Sequence, residues 1–177
     1  CVPLADLPVE TIAIADIGTG SGAIAVSLAV ELPNASIVAT DLSRGALEIA
    51  GRNAERHGVM ERIDFREGDL LSPLDGRVDL IAANLPYVTT AEWEALPPEI
   101  RDHEPRSALD GGPDGLDVIR RLLAEAPHYL NVGGALFAEI GYEQGIAAAA
   151  LARAAFPEAT VTIEPDLAGR DRALVVR

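Results

Sequence analysis

Short apolar runs rich in Ile, Val and Ala alternate along this chain with longer stretches in which apolar residues recur at helical spacing. Residues 11–15, 36–41, 63–70, 78–83, 135–140, 160–164 and 173–176 have the length and branched side chains of strands. Between them, residues 23–30, 43–57, 116–130 and 144–156 read as helices. Ser43 is placed to cap the second of these and Gly58 to end it. Such alternation predicts an α/β chain built on a doubly wound sheet of seven strands. The stretch 88–112 holds Pro97-Pro98, Pro105 and Gly111-Gly112, too long and punctuated for a mere connector, and is expected to form the wall or lid of a substrate cleft. At 177 residues and 49% apolar, the chain suits one domain, 1–177, with a full core.

The candidate chemistry lies where strands end. Asn84-Leu85-Pro86-Tyr87 follows the apolar run 78–83 and joins an amide acceptor, a backbone carbonyl made rigid by the next proline, and an aromatic face. That set suits a planar NH₂ group, which needs two acceptors and a flat surface; a carboxamide and the exocyclic amine of adenine both qualify. Upstream, Asp16-Ile17-Gly18-Thr19-Gly20-Ser21-Gly22 stands between a strand and a helix, the order a nucleotide-type ligand requires. Its glycines permit close backbone approach, and the helix start offers free N–H groups to an anionic tail. The spacing is G-x-G-x-G, not the dinucleotide G-x-G-x-x-G, and Asp16 adds a carboxylate that a pyrophosphate would avoid. S-adenosyl-L-methionine, with its ammonium and sulfonium, fits better. Asp41, ending the second strand, is the ribose candidate, and Asp69, in Gly68-Asp69-Leu70, the adenine candidate.

With these elements in this order, the chain resembles the HemK/PrmC family of class I methyltransferases, which methylate the glutamine side chain in the Gly-Gly-Gln motif of peptide-chain release factors. The blocks Glu104-Pro105-Arg106 to Gly112 and Asp166 to Arg172 carry the resemblance beyond the enzyme class, as do Asn53 to Gly58, Asp114-Gly115-Leu116 and Glu139-Ile140-Gly141. The resemblance implies a Rossmann-like, mostly parallel sheet with the last strand antiparallel. The candidate site comprises Asn84, Leu85, Pro86 and Tyr87 for catalysis. Asp16, Gly18, Thr19, Gly20, Gly22, Asp41, Leu42, Asp69, Leu70 and again Asn84 are the cofactor candidates, with Glu104, Pro105 and Arg106 facing the substrate. Glu104 and Arg106 fit an internal loop clamp as well as they fit a release-factor contact. Leu85 departs from the family's usual Asn-Pro-Pro-Tyr and yields a tetrapeptide also found in rRNA adenine dimethyltransferases. The family's N-terminal helical docking domain is expected to be absent from this chain.

Charge separates the possible acceptors. Fourteen Lys plus Arg against 28 Asp plus Glu give a net charge of −14, which opposes a phosphate backbone and suits a basic protein substrate. No basic-apolar leader opens the chain, no apolar stretch reaches bilayer length, and the lone Cys1 excludes an internal disulfide, so a reducing cytoplasm is expected. His57, His103 and His128 lack metal-ligand spacing, and no metal is expected. Ser21 and Ser43 have no His-Asp partners at readable spacing, which argues against a hydrolase. Two rival readings stay open: an adenine N6-methyltransferase of RNA or DNA, and a non-catalytic S-adenosylmethionine-binding domain.

Overall fold

The computed structural model describes residues 11–101 and 105–177. Its strands are β1 (Ile12–Ile17), β2 (Ala35–Asp41), β3 (Ile63–Glu67), β4 (Val78–Ala83), β5 (Leu130–Glu139), β6 (Val161–Pro165) and β7 (Asp171–Val176). They form one seven-stranded sheet in the order β3-β2-β1-β4-β5-β7-β6. The pairs β1–β2, β1–β4, β2–β3 and β4–β5 are parallel, whereas β7 runs antiparallel to both β5 and β6. The order reverses between β1 and β4, and a ligand crevice opens at such a switch point, outside the carboxyl ends of the strands.

Helices α1 (Ala23–Glu31), α2 (Arg44–Arg56), α6 (Asp117–Tyr129) and α7 (Gly145–Ala155) cover the sheet, while the short α3 (Thr90–Glu94), α4 (Pro98–Arg101) and α5 (Arg106–Leu109) belong to the stretch after β4. Ile14, Ala25, Ala29, Ile37 and Ala54 build the core between β1, β2, α1 and α2. Ile81, Ile119, Leu122, Leu136, Ala148 and Leu174 build the other, under α6 and α7. Ser43 caps α2 by accepting a hydrogen bond from the Ala46 N–H, as its sequence position suggested.

Three boundaries differ from the pattern. β3 stops at Glu67, and Gly68-Asp69-Leu70 turns away from the sheet; a Cβ at Gly68 would meet Pro73 at 2.4 Å, so the turn is tightly packed. β5 starts at Leu130, immediately after α6, and reaches the β4 register through an irregularity between Val78 and Leu80. The stretch 88–112 folds into short helices tied back to its own start, Val88 N–H donating to Leu109 O and Gly111 N–H to Val88 O.

Candidate active site

The carboxyl ends of β1 to β4 surround a cavity of about 490 Å³. Gly18, Thr19 and Gly20 from the glycine loop line it, with Asp41 and Leu42 after β2, Asp69 and Leu70 after β3, and Asn84, Leu85 and Pro86 after β4. Sequence positions spread over almost seventy residues thus meet at one edge of the sheet.

Packing explains the glycines. Gly18, Gly20 and Gly22 all have left-handed backbone angles, φ 68°, 56° and 81°. A Cβ at Gly18 would lie 2.8 Å from the Leu85 side chain, and one at Gly22 would lie 2.9 Å from Ala50 on α2. Leu85 is 5% exposed and packs beneath the loop, so the leucine that departs from the family tetrapeptide couples the Asn84 turn to the glycine loop. Gly22 itself stands at the N-cap of α1 without a capping side chain; Asn53 on α2 donates to the Ser21 carbonyl and steadies the loop from the other side.

Asp16 stands under the loop and outside the cavity lining. Its Oδ2 accepts from Thr19 Oγ1 at 2.6 Å and from the Ala25 N–H at 3.0 Å, which fixes the loop and satisfies one orphan donor of α1. Its Oδ1 is buried with no hydrogen-bond partner among the described residues. Burial pushes the carboxyl up to about 6, against the opposing pull of the Thr19 and Ala25 bonds. A buried acid with one unpaired oxygen beneath the loop favours a cation above it.

Asp41 and Asp69 approach the cavity differently. Asp41 Oδ2 accepts from Gly20 N–H at 2.9 Å and Oδ1 from Ser43 N–H at 2.8 Å, so the acid braces the glycine loop as well as lining the cavity. Leu42, 67% exposed, is an apolar side chain over the same opening. Asp69 pairs with Arg121 from α6. Leu70 has φ 47°, a left-handed conformation rare for a branched residue, and its carbonyl accepts from buried Thr40 Oγ1 at 2.9 Å. The Thr40 bond to Leu70 O and the Ser72 bonds to Asp69 O hold the turn in this strained form.

Asn84 is exposed on the cavity wall, and its side chain forms no hydrogen bond among the described residues. Pro86 and Tyr87 are held firmly. Tyr87 O accepts from Gln144 Nε2 at 2.8 Å, and the same amide donates to Asp114 O while its Oε1 accepts from Gly141 N–H at 2.7 Å. Gln144 therefore ties together the segments after β4, before α6 and after β5. Gly115, φ 71°, exists for this junction: a Cβ there would lie 2.2 Å from Tyr87 O. Pro86 O similarly abuts Gly111, where a Cβ would come within 2.5 Å.

Tyr87 is outside the cavity lining, with its ring half-buried against the core. Its hydroxyl donates to Glu139 Oε1 at 2.9 Å and accepts from Arg172 at 3.4 Å; Arg172 also reaches Asp166 at 3.6 Å and Ile140 O at 3.3 Å. Burial, then the Glu139 contact, raise the phenol above its usual range and keep it neutral. The blocks Glu139-Ile140-Gly141 and Asp166 to Arg172 thus converge behind Tyr87.

Of the substrate-loop candidates, Pro105 lines the cavity, while Glu104 and His103, like Cys1, lie outside the described residues. Arg106 is a clamp: its guanidinium stacks 4.3 Å from the Trp93 ring centroid and binds Asp110 at 2.7 Å. Asp110 in turn accepts from Thr90 Oγ1 and Gly112 N–H, which closes the wall on itself. Arg106 thus makes the internal clamp, while its guanidinium stays half-exposed. Gln144 and Arg121 were not singled out from sequence, because their partners are brought close only by the fold.

Residues 14–103 match the family model described as "Methyltransferase domain". The chain belongs to that methyltransferase family. It is 50% identical over 169 residues to "Release factor glutamine methyltransferase" of Moorella thermoacetica, an alignment spanning 95% of this chain and 59% of that protein. It is also 50% identical over 139 residues, 78% of this chain and 43% of the relative, to "Ribosomal protein uL3 glutamine methyltransferase" of Bradyrhizobium diazoefficiens. The chain therefore spans about half the length of these relatives. Among solved structures, a ribosomal protein L11 methylase from Lactobacillus delbrueckii subsp. bulgaricus superposes with a TM-score of 0.66 at 23% identity, covering 97% of this chain and 72% of the other. That likeness places the methyltransferase domain in the class I Rossmann-like fold.

Proposed function

We propose that this methyltransferase domain binds S-adenosyl-L-methionine and forms the catalytic part of a protein-glutamine N-methyltransferase acting on the Gly-Gly-Gln motif of release factors. The observation that carries the reading is the placement of Asn84, exposed and without a hydrogen bond among the described residues, on the same cavity as the glycine loop, Asp41 and Asp69. The residues fit the cofactor. Gly18, Thr19 and Gly20 line the cavity with backbone that a side chain at Gly18 would push against Leu85, and the buried Asp16 beneath has one oxygen without a hydrogen bond among the described residues. In this reading Asp16 acts through the loop it braces, by its charge. Asp41 would take the ribose hydroxyls, Asp69 the adenine amine, and Leu42 and Leu70 the ring.

When bound, S-adenosylmethionine supplies an electrophilic methyl. The protein's part is orientation and electrostatics. An amide nitrogen is a weak nucleophile because its lone pair is delocalised into the carbonyl. The Asn84 side-chain oxygen and the Leu85 carbonyl accept the two N–H hydrogens of the substrate amide, hold it in plane, and stabilise positive charge developing on nitrogen. Orientation of this kind removes about 7–11 kcal/mol of a barrier. Pro86 keeps residue 85 extended, and the Tyr87 hydroxyl tethered to Glu139 fixes the end of the turn. Proton loss from the methylated amide needs no strong base.

The uL3-directed relative favours a second carrier for the same acceptor group, a glutamine on a ribosomal protein. Both readings need a flat carboxamide at Asn84, and the net charge of −14 suits a protein carrier better than a nucleic acid. Titration calorimetry with S-adenosylmethionine and its demethylated product tests the cofactor site: Gly20→Val and Asp41→Ala are expected to weaken both by at least tenfold. Unchanged affinity, or tighter binding of a nicotinamide dinucleotide, would remove the site.

A further inference from the structure

Arg121 is out of place in this cavity. Among its lining residues Arg121 is the basic one, opposite Asp41 and Asp69, in a site otherwise suited to a cationic cofactor. Its neighbour Arg120 turns outward to Asp114 and Asp117 at 2.7 Å, whereas Arg121 crosses to Asp69 Oδ2. The helix beneath is rigid, since Leu116, Ile119, Leu122 and Leu123 are buried, and Val118, three residues earlier, lines the same cavity. The other partner is equally fixed. Asp69 O accepts from Ser72 N–H and Oγ, Leu70 is held left-handed with its carbonyl on Thr40, and Gly68 packs on Pro73. Arg121 and Asp69 are 51% and 44% exposed, and ion pairs that exposed contribute little to folding. Asp69 Oδ1 takes no hydrogen bond from the described residues.

We propose that Arg121 is a positioning residue for cofactor recognition, fixing the Asp69 carboxylate through Oδ2 so that Oδ1 faces the exocyclic amine of adenine; this rests on the S-adenosylmethionine reading above. A carboxylate free to rotate would spread its two oxygens over several orientations and present the amine with a poorer acceptor. The guanidinium removes that freedom and leaves one oxygen available.

Calorimetry on the intact protein with S-adenosylhomocysteine and with its purine analogue lacking the 6-amino group tests this. The wild type is expected to prefer the amino form by about tenfold, the contribution of one charge-assisted hydrogen bond. Arg121→Met should lower that preference to about threefold while leaving the purine analogue's affinity unchanged, Arg121→Lys should restore part of it, and Asp69→Ala, which removes the acceptor, should abolish it. Equal weakening of both ligands by Arg121→Met, or an intact preference, overturns the proposal. An intact preference in Asp69→Ala overturns it too, by removing Asp69 from the adenine. The cofactor reading itself fails separately, when the wild type binds neither ligand.

Discussion

In the proposed mechanism methyl transfer depends most directly on Asn84, whose amide has no hydrogen-bond partner among the described residues and faces the cavity. Asn84→Ala is expected to reduce turnover by at least a hundredfold while cofactor affinity stays within a few-fold, measured by labelled methyl transfer beside calorimetry. Leu85 serves both as a carbonyl and as packing. Leu85→Ala keeps the carbonyl yet vacates the space under Gly18, and should cost about 2–4 kcal/mol in denaturant unfolding. Asp16 gives a pH signature. Its folded value, about 6, stands above 3.8, so its contribution to stability is complete below 3.8 and is lost as pH rises through about 6. In Asp16→Asn that decline, of order 3 kcal/mol, should be absent, so the stability difference between wild type and variant changes by that amount across this window. Parallel pH profiles for the two proteins would contradict the raised carboxyl.

Elements whose position depends on distant partners behave as one unit around Gln144. Gln144→Ala frees Tyr87 O, Asp114 O and Gly141 N–H together, and is expected to cost about 1–3 kcal/mol and to lower kcat more than cofactor affinity. Gln144→Glu keeps the acceptor for Gly141 but sets a carboxylate against two carbonyls, and should be no better than alanine. Thermal unfolding and single-turnover rates measure both. The strand-helix alternation was legible in sequence because each element buries one face, and so were the acids and glycines at the strand ends, since loop and helix start adjoin in the chain. What closes behind Tyr87 was not. Glu139 is 52 residues away and Arg172 is 85, so their convergence is a property of the sheet order and of antiparallel β7. Tyr87 reads from sequence as an aromatic surface for the acceptor; the fold gives its hydroxyl a tether to Glu139 and Arg172 instead, and places its ring beside the cavity lining. Asp69 was assigned to a strand end, yet it stands on a turn whose strained Leu70 no local propensity announces.

Over the whole molecule, the acidic balance and the acceptor turn point to the same class of partner. A net charge of −14 repels nucleic acid and raises the encounter rate with a basic protein, so transfer should slow as salt rises. Among the described residues no helix is long and apolar enough to cross a membrane. The central claim is that Asn84 presents a glutamine amide to the cofactor. Incubating the full-length protein with labelled S-adenosylmethionine and a mixture of release factor, ribosomal protein and ribosomal RNA, followed by tandem mass spectrometry, locates the methyl. Label on the glutamine nitrogen of a Gly-Gly-Gln peptide, lost in Asn84→Ala, is the predicted result; label on adenine with every glutamine unmodified would contradict it.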